Sequence, residues 1–209
     1  MKIELATALK VTKADMEFSD MLNEVVEVFN VFIQSSSSYR IIYDFMFGKD
    51  CIHIEGHSFA CGQKVMNALV GSEYIAVFAI TIGSGVSELY AQYTAKSDYL
   101  SAYWCDLLAN HAVNQAMNDL KKTIQNCHAD NRITSNWGPG YCGWPLEDQQ
   151  ALLALLPSDN RCVKLTDSML MQPAKSLSGV IGIGKEVIYH KSGCVDCILE
   201  HCAYKPIRN

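Results

Sequence analysis

No stretch of this chain is apolar for long enough to cross a membrane. The longest near-continuous run, residues 75–82, stops far short of the roughly 18–20 residues that a spanning helix needs. The N-terminal MKIELATALK lacks the apolar core of a signal peptide, so the expected location is the cytoplasm. A positive surplus is missing as well. Seventeen Lys and Arg stand against 22 Asp and Glu, a net charge of -5 with pI near 5.6, which argues against nucleic acid held on a basic face. Internal repeats are absent, and charged residues make up only 19% of the chain. With 49% hydrophobic residues in 209, the composition is that of a globular protein rather than a disordered one, with length enough for one well-packed domain.

Cysteine is what the chain has in excess. Nine are many for a reducing compartment, where thiols stay free for packing, catalysis or metal. Cys61, Cys105 and Cys127 lie in helical patterns and Cys162 in a strand pattern, so each is read as a small buried hydrophobe.

Periodicity places a core-facing helix over 16–33, with Met21, Leu22, Val25, Val28, Phe29 and Phe32 as its stripe. The serine tract 35–38 reads as a flexible break, followed by strands at 39–47 and 51–55. Ser58 is placed as the cap of a helix running to Leu69. Residues 74–82 read as a strand covered on both faces, turned by Gly83-Ser84-Gly85 into a helix over 86–93. A long helix over 98–125, capped by Ser97, presents Leu100, Trp104, Leu107, Leu108, Val113, Met117, Leu120 and Ile124. Strands are expected at 132–135, 161–165, 176–183 and 187–190, with a short helix over 146–156 closed by Pro157. Without regular βαβ alternation, this order predicts an α+β fold: one domain over 1–190 with a mixed or antiparallel twisted sheet and packed helices, and a cysteine-rich tail over 191–209.

Two blocks stand out: WGPGYCGWPLEDQQ over 137–150 and LTDSMLMQPAKSLSGVIGIG over 165–184. The first sets a Gly-Pro-Gly-Tyr turn before Pro145 and an acidic first turn, the chemistry of a tight bend that opens a helix and exposes backbone N–H groups. Taken alone it reads more readily as a structural turn whose aromatics pack on the core than as a ligand site. In this order and spacing the two blocks resemble the activation domain of cobalamin-dependent methionine synthase, and more closely its small stand-alone relatives from anaerobes.

The resemblance implies a job. The domain caps a corrinoid, the cobalamin of a partner, while one electron and a methyl group from S-adenosylmethionine return oxidised cobalt to use. The partner implied is a short methionine synthase or another corrinoid methyltransferase, and the chain is an accessory to it rather than an independent enzyme. The implied ligand residues are Pro139, Gly140 and Tyr141 in the bend. Five residues before the tyrosine, where the family's arginine holds the S-adenosylmethionine carboxylate, stands Asn136. A neutral amide replaces a charged planar fork there, and a family glutamate is likewise replaced near Asn114, so S-adenosylmethionine binding is expected to be weak or absent. Lys175, Ser176 and Ser178 of the second block either face the corrinoid or close a sheet edge.

A second constellation is Cys194-x2-Cys197-x4-Cys202. It offers three thiolates to zinc or an iron–sulfur cluster, with Cys142, Cys51 or His201 as a further ligand. The other reading is a reducible disulfide or free thiols in a tail. If the centre forms and the bend is kept only for folding, the protein is an electron carrier or sensor instead. Two further patterns are set aside. Residues 179–185 fit GxxxxGK but lack the following Ser/Thr. His53-Ile54-Glu55 has no proline-preceded CxxC at deaminase spacing.

Overall fold

Helices and strands alternate here without a βαβ rhythm, and the reason lies in short turns that fold strands back on themselves. The computed structural model describes residues 1–160 and 162–188. In chain order the elements are α1 (Leu5–Thr12), a 3-10 turn (Met16–Phe18), α2 (Ser19–Phe32), β1 (Ser36–Ile42), β2 (Phe45–Phe47), β3 (Ile52–Ile54), β4 (His57–Phe59), α3 (Gly62–Leu69) and β5 (Tyr74–Thr81). They continue as α4 (Gly85–Ala95), α5 (Tyr99–Cys127), β6 (Arg132–Ile133), α6 (Asp148–Ala154), a 3-10 turn (Ser158–Asn160), β7 (Lys164–Leu165), β8 (Met171–Gln172) and β9 (Ser176–Gly184). A four-stranded sheet has the order β1-β5-β9-β6, and β6 runs antiparallel to β9 with Arg132 opposite Gly184. β2, β3 and β4 form an antiparallel meander, and β7 pairs antiparallel with β8. The fold class is α+β, as the element order predicts. Among the described residues no helix is long and apolar enough to cross a membrane.

Contacts divide the chain into two compact units whose boundaries fall within β1, β5, α5 and β9 and just after α6. The first holds Met1–Ser38, Ala79–Lys122 and Pro157–Leu177; the second holds Tyr39–Phe78, Thr123–Leu156 and the described chain from Ser178 onward.

In the first unit α2 packs on α1 and α4. Leu22, Val25, Val26 and Phe29 are its buried face, at the i, i+3, i+4, i+7 spacing that lines one side of a helix. Met21 and Val28, expected in the stripe, are exposed because they fall outside that arc. Unforeseen α1 is short for a helix, and Asn30 clasps Ile3 just before it: its Oδ1 accepts from Ile3 N at 2.8 Å and its Nδ2 donates to Ile3 O at 2.8 Å. α5 buries Trp104, Leu108, Val113, Met117, Leu120 and Ile124, while Leu100 is exposed. Its cap is Asp98, whose Oδ1 accepts the Ser101 N–H at 3.1 Å. The predicted cap, Ser97, is instead left-handed at φ 58° and ends the preceding turn. Cys162 lies before β7 rather than in a strand, its thiol donating to Ala79 O at 3.4 Å.

In the second unit β3 and β4 are joined through Glu55 and Gly56, both at positive φ (46° and 83°), the geometry of a type I′ hairpin. That hairpin corrects the placement of Ser58. It lies in β4, and α3 starts at Gly62. The expected strand 39–47 is two strands, β1 and β2, broken at 43–44. The serine tract is not a break either: Ser36, Ser37 and Ser38, which belong to the first unit, open β1, where pairing with β5 supplies hydrogen bonds that outweigh weak strand propensity. Arg40 on β1 forks onto Glu55 (Nη2–Oε1 2.7 Å, Nη1–Oε2 2.9 Å) and also donates to Leu155 O. Val187 and Ile188 are not strand, and residues 189–190 of that expectation lie outside the described residues.

Two core thiols make the fold sensitive to alkali. Burial pushes Cys61 in the second unit up to about 11 and Cys105 in the first up to about 12, from 9.0. A thiol that ionises later folded than unfolded binds more protons in the native state above the unfolded value. Stability should therefore hold below about pH 9 and fall as pH rises toward 11–12. Urea unfolding of the wild type and of a Cys61→Ala/Cys105→Ala variant between pH 7 and 10.5 should show a shallower loss in the variant.

Candidate functional site

The two sequence blocks meet. β6 ends at Ile133, and Thr134 continues its line alongside β9. Its N–H donates to Gly182 O at 2.9 Å and its Oγ1 accepts the Gly182 N–H at 2.9 Å. Three residues on, Trp137 forms an antiparallel bridge with Val180, N–H to O in both directions at 3.0 and 2.7 Å. Between these ties sits Asn136, half-buried.

The next step needs glycine on both sides. A Cβ on Gly138 would stand 2.5 Å from Ser178 O, and one on Gly179 would collide with Trp137 O. The main chains therefore approach more closely than any side chain allows. Gln149, buried on α6, adds a third tie by donating from Nε2 to Ser178 Oγ.

From this platform the bend projects. Pro139 is buried, whereas Gly140, Tyr141, Cys142 and Gly143 are exposed, Tyr141 by 65%. Cys142 and Gly143 have φ of 53° and 86°, and Trp144 N–H donates to Tyr141 O at 2.9 Å, which makes a type I′ turn. Gly140 N–H closes the bend on Trp144 O at 2.9 Å, and Tyr141 N–H reaches Gly138 O at 3.3 Å. The bend thus consumes most of its own amides, leaving those of Cys142 and Gly143 as the exposed donors. Trp144 anchors the return. Its ring is buried edge-on against Phe59 with centroids 6.0 Å apart, and its Nε1 donates to Asp148 Oδ2 at 2.9 Å in the first turn of α6. Across the bend, the Cys142 carbonyl lies so near Gly62, the first residue of α3, that a Cβ there would come within 2.8 Å.

The serines of the second block are already engaged. Ser176 is buried and donates to Pro173 O at 2.6 Å, while Ser178 accepts from Gln149 and keeps its own O–H to give. Lys175, in the first unit, turns to α5, where Nζ reaches Asp106 Oδ1 at 2.6 Å and Asn110 Oδ1 at 2.8 Å. Asn114 is exposed on the same helix. Gln149 and Thr134 escaped the sequence reading. Gln149 stood inside the quoted block, but nothing in a sequence tells which serine an amide will reach.

Cys194, Cys197 and Cys202 lie outside the described residues, as do His190 and His201. Of the further ligands considered for them, Cys142 is exposed on the bend, and Cys51 Sγ is 3.4 Å from His53 Nε2. Among the described residues no group of three or more His, Cys, Asp or Glu is placed to hold a metal ion.

The chain is an α+β fold that carries an exposed bend, closed by its own hydrogen bonds and tied to β9 through the Trp137–Val180 bridge. Its fold is shared with a solved structure described as the MetH reactivation domain bound to AdoHcy, at TM-score 0.62 and 16% identity, over 90% of this chain and 69% of that one. The family model for the activation domain of vitamin B12 dependent methionine synthase matches residues 63–197, and the chain belongs to that family. No curated protein matches it.

The platform gives two expectations of opposite sign. Gly179→Ala should cost roughly 2 kcal/mol or more, since a Cβ must push two backbones apart. Cys142→Gly should gain up to about 1 kcal/mol by removing a side chain from a left-handed position. Thermal unfolding of both variants checks the pair.

Proposed function

We propose that the protein caps the corrinoid of a partner, a short methionine synthase or another corrinoid methyltransferase, and assists the reductive return of its cobalt to the active state. Family membership supports this reading, and the observation that carries it is the bend: an exposed Gly140–Gly143 tip held rigid from below by Trp137, Trp144, Gly138 and Gly179. The corrinoid and S-adenosylmethionine would supply the chemistry when bound, the methyl group coming from S-adenosylmethionine and the electron from a separate reductant. The chain's own residues bind, orient and exclude water. A cap needs fixed dipoles more than it needs reactive groups, because donors that do not reorganise stabilise a ligand at least cost.

For S-adenosylmethionine the fit is partial. Pro139, Gly140 and Tyr141 shape the bend, and the free O–H of Ser178 is a donor beside it. At the position where the family resemblance implies arginine, Asn136 offers one neutral amide. A hydrogen bond to a charged group contributes about 1.5–3 kcal/mol, so its loss weakens binding about ten- to a hundredfold. Calorimetric titration with S-adenosylmethionine should find weak binding to the wild type and at least about tenfold tighter binding to Asn136→Arg. Low-micromolar binding to the wild type would remove the weakened-affinity part of the proposal.

The Cys194-x2-Cys197-x4-Cys202 spacing supports, on sequence alone, a thiolate-held zinc or iron–sulfur centre as a port for the electron. Protein purified without oxygen should then contain metal in stoichiometric amount, and Cys194→Ser/Cys197→Ser should lose it. A colourless, metal-free preparation would end that idea without touching the capping role.

A further inference from the structure

In the second unit, the outer face of the β2-β3-β4 meander gathers three soft side chains. Residues two apart along a strand share a face. Ile52 and Ile54 are fully buried, so Cys51 and His53 lie on the opposite side, both half-buried. There Cys51 Sγ stands 3.4 Å from His53 Nε2. Met46 on β2 is the register partner of His53 and is exposed by 67%, which places it on that same outer face. The hydrogen bond from Gly48 N to Cys51 O, at 2.8 Å, carries the pairing one step past the strands and sets Gly48 opposite Cys51. A Cβ on Gly48 would come within 2.8 Å of the thiol sulfur and 3.1 Å of the imidazole nitrogen. Glycine thus leaves open the corner that the thiol and the imidazole share.

We propose that Met46, Cys51 and His53 form a binding site for a soft monovalent metal ion, copper(I). The inference is independent of the corrin-capping reading above. The separation suits a shared ion: with bonds of roughly 2.3 Å to sulfur and 2.0 Å to nitrogen, 3.4 Å between the two atoms corresponds to an angle of about 105° at the metal, close to tetrahedral. Donor type then selects the ion. Zinc draws on thiolate, imidazole and carboxylate and takes four ligands in structural sites, whereas thiolate with thioether favours copper(I). Among the described residues no third His, Cys, Asp or Glu joins the pair, so the zinc set is incomplete while Met46 completes a soft one. Binding breaks the Cys51 S–H bond and forms a sulfur–copper bond, with one proton released to solvent and no change in oxidation state. Pairing on both sides, to Met46 on β2 and Ser58 on β4, holds His53 by its backbone.

Competition titration with copper(I) against a chromogenic copper(I) chelator, without oxygen, tests this. The full-length chain carries Cys194→Ser, Cys197→Ser and Cys202→Ser in every sample, so that the tail thiols take no copper. Cys51→Ser should lose one equivalent of copper and the proton released with it. His53→Ala and Met46→Leu should each weaken binding at least about tenfold, since even residues one shell out from a metal are worth that much. Met46→Leu sits at an exposed position and leaves the fold and the other two donors in place. Zinc(II) at equal concentration should not displace the copper. An unchanged copper count in Cys51→Ser, unchanged affinity in His53→Ala or Met46→Leu, or displacement by zinc(II) overturns the site.

Discussion

The bend depends on one constraint: between Trp137-Gly138 and Ser178-Gly179-Val180 there is no room for a side chain. Backbone meets backbone, with paired hydrogen bonds at 3.0 and 2.7 Å on one side and carbonyls pressed against α-carbons on the other. Such contacts are stiff, since neither partner has a rotamer to change. The four exposed residues above this staple are set by it and by hydrogen bonds of their own rather than by side chains packed in the core. A left-handed cysteine is tolerated at the tip for the same reason, its local cost being small against what the platform provides.

How much of this could be read beforehand depended on whether the signal was local. The β5 strand, the long α5 helix and β9 were legible because their apolar periodicity runs for many residues. The failures were at boundaries. Ser58 looks like a helix cap by type, but Glu55-Gly56 closes a hairpin first and takes the serine into β4. Ser97 looks like a cap as well, yet Asp98 holds the donor. Ser36–Ser38 has the composition of a linker and becomes strand because an edge is waiting for it. In each case a partner distant in sequence, or a turn one or two residues away, overrode intrinsic preference.

The candidate site divides in the same way. Pro139, Gly140 and Tyr141 were recognisable as a bend because glycine and proline announce their backbone requirements, whereas Asn136 entered only through the family resemblance. That Ser176 has already given its hydroxyl to Pro173, or that Gln149 holds Ser178, was not readable, since a hydroxyl looks the same whether free or engaged. Lys175 was ambiguous between a ligand contact and a sheet edge. Its amine in fact belongs to a neutral ring with Asp106 and Asn110, which changes what it can attract: a lone ammonium draws anions, a balanced pair draws dipoles.

The chain has three tryptophans, and two of them bracket the bend. Trp137 lies in the bridge to Val180 and Trp144 on Phe59, both shielded from water, while Trp104 belongs to α5 in the other unit. Intrinsic fluorescence is consequently weighted toward the very segment that has to hold its shape. Emission colour becomes an optical gauge of that loop, readable in the untouched protein with no label attached.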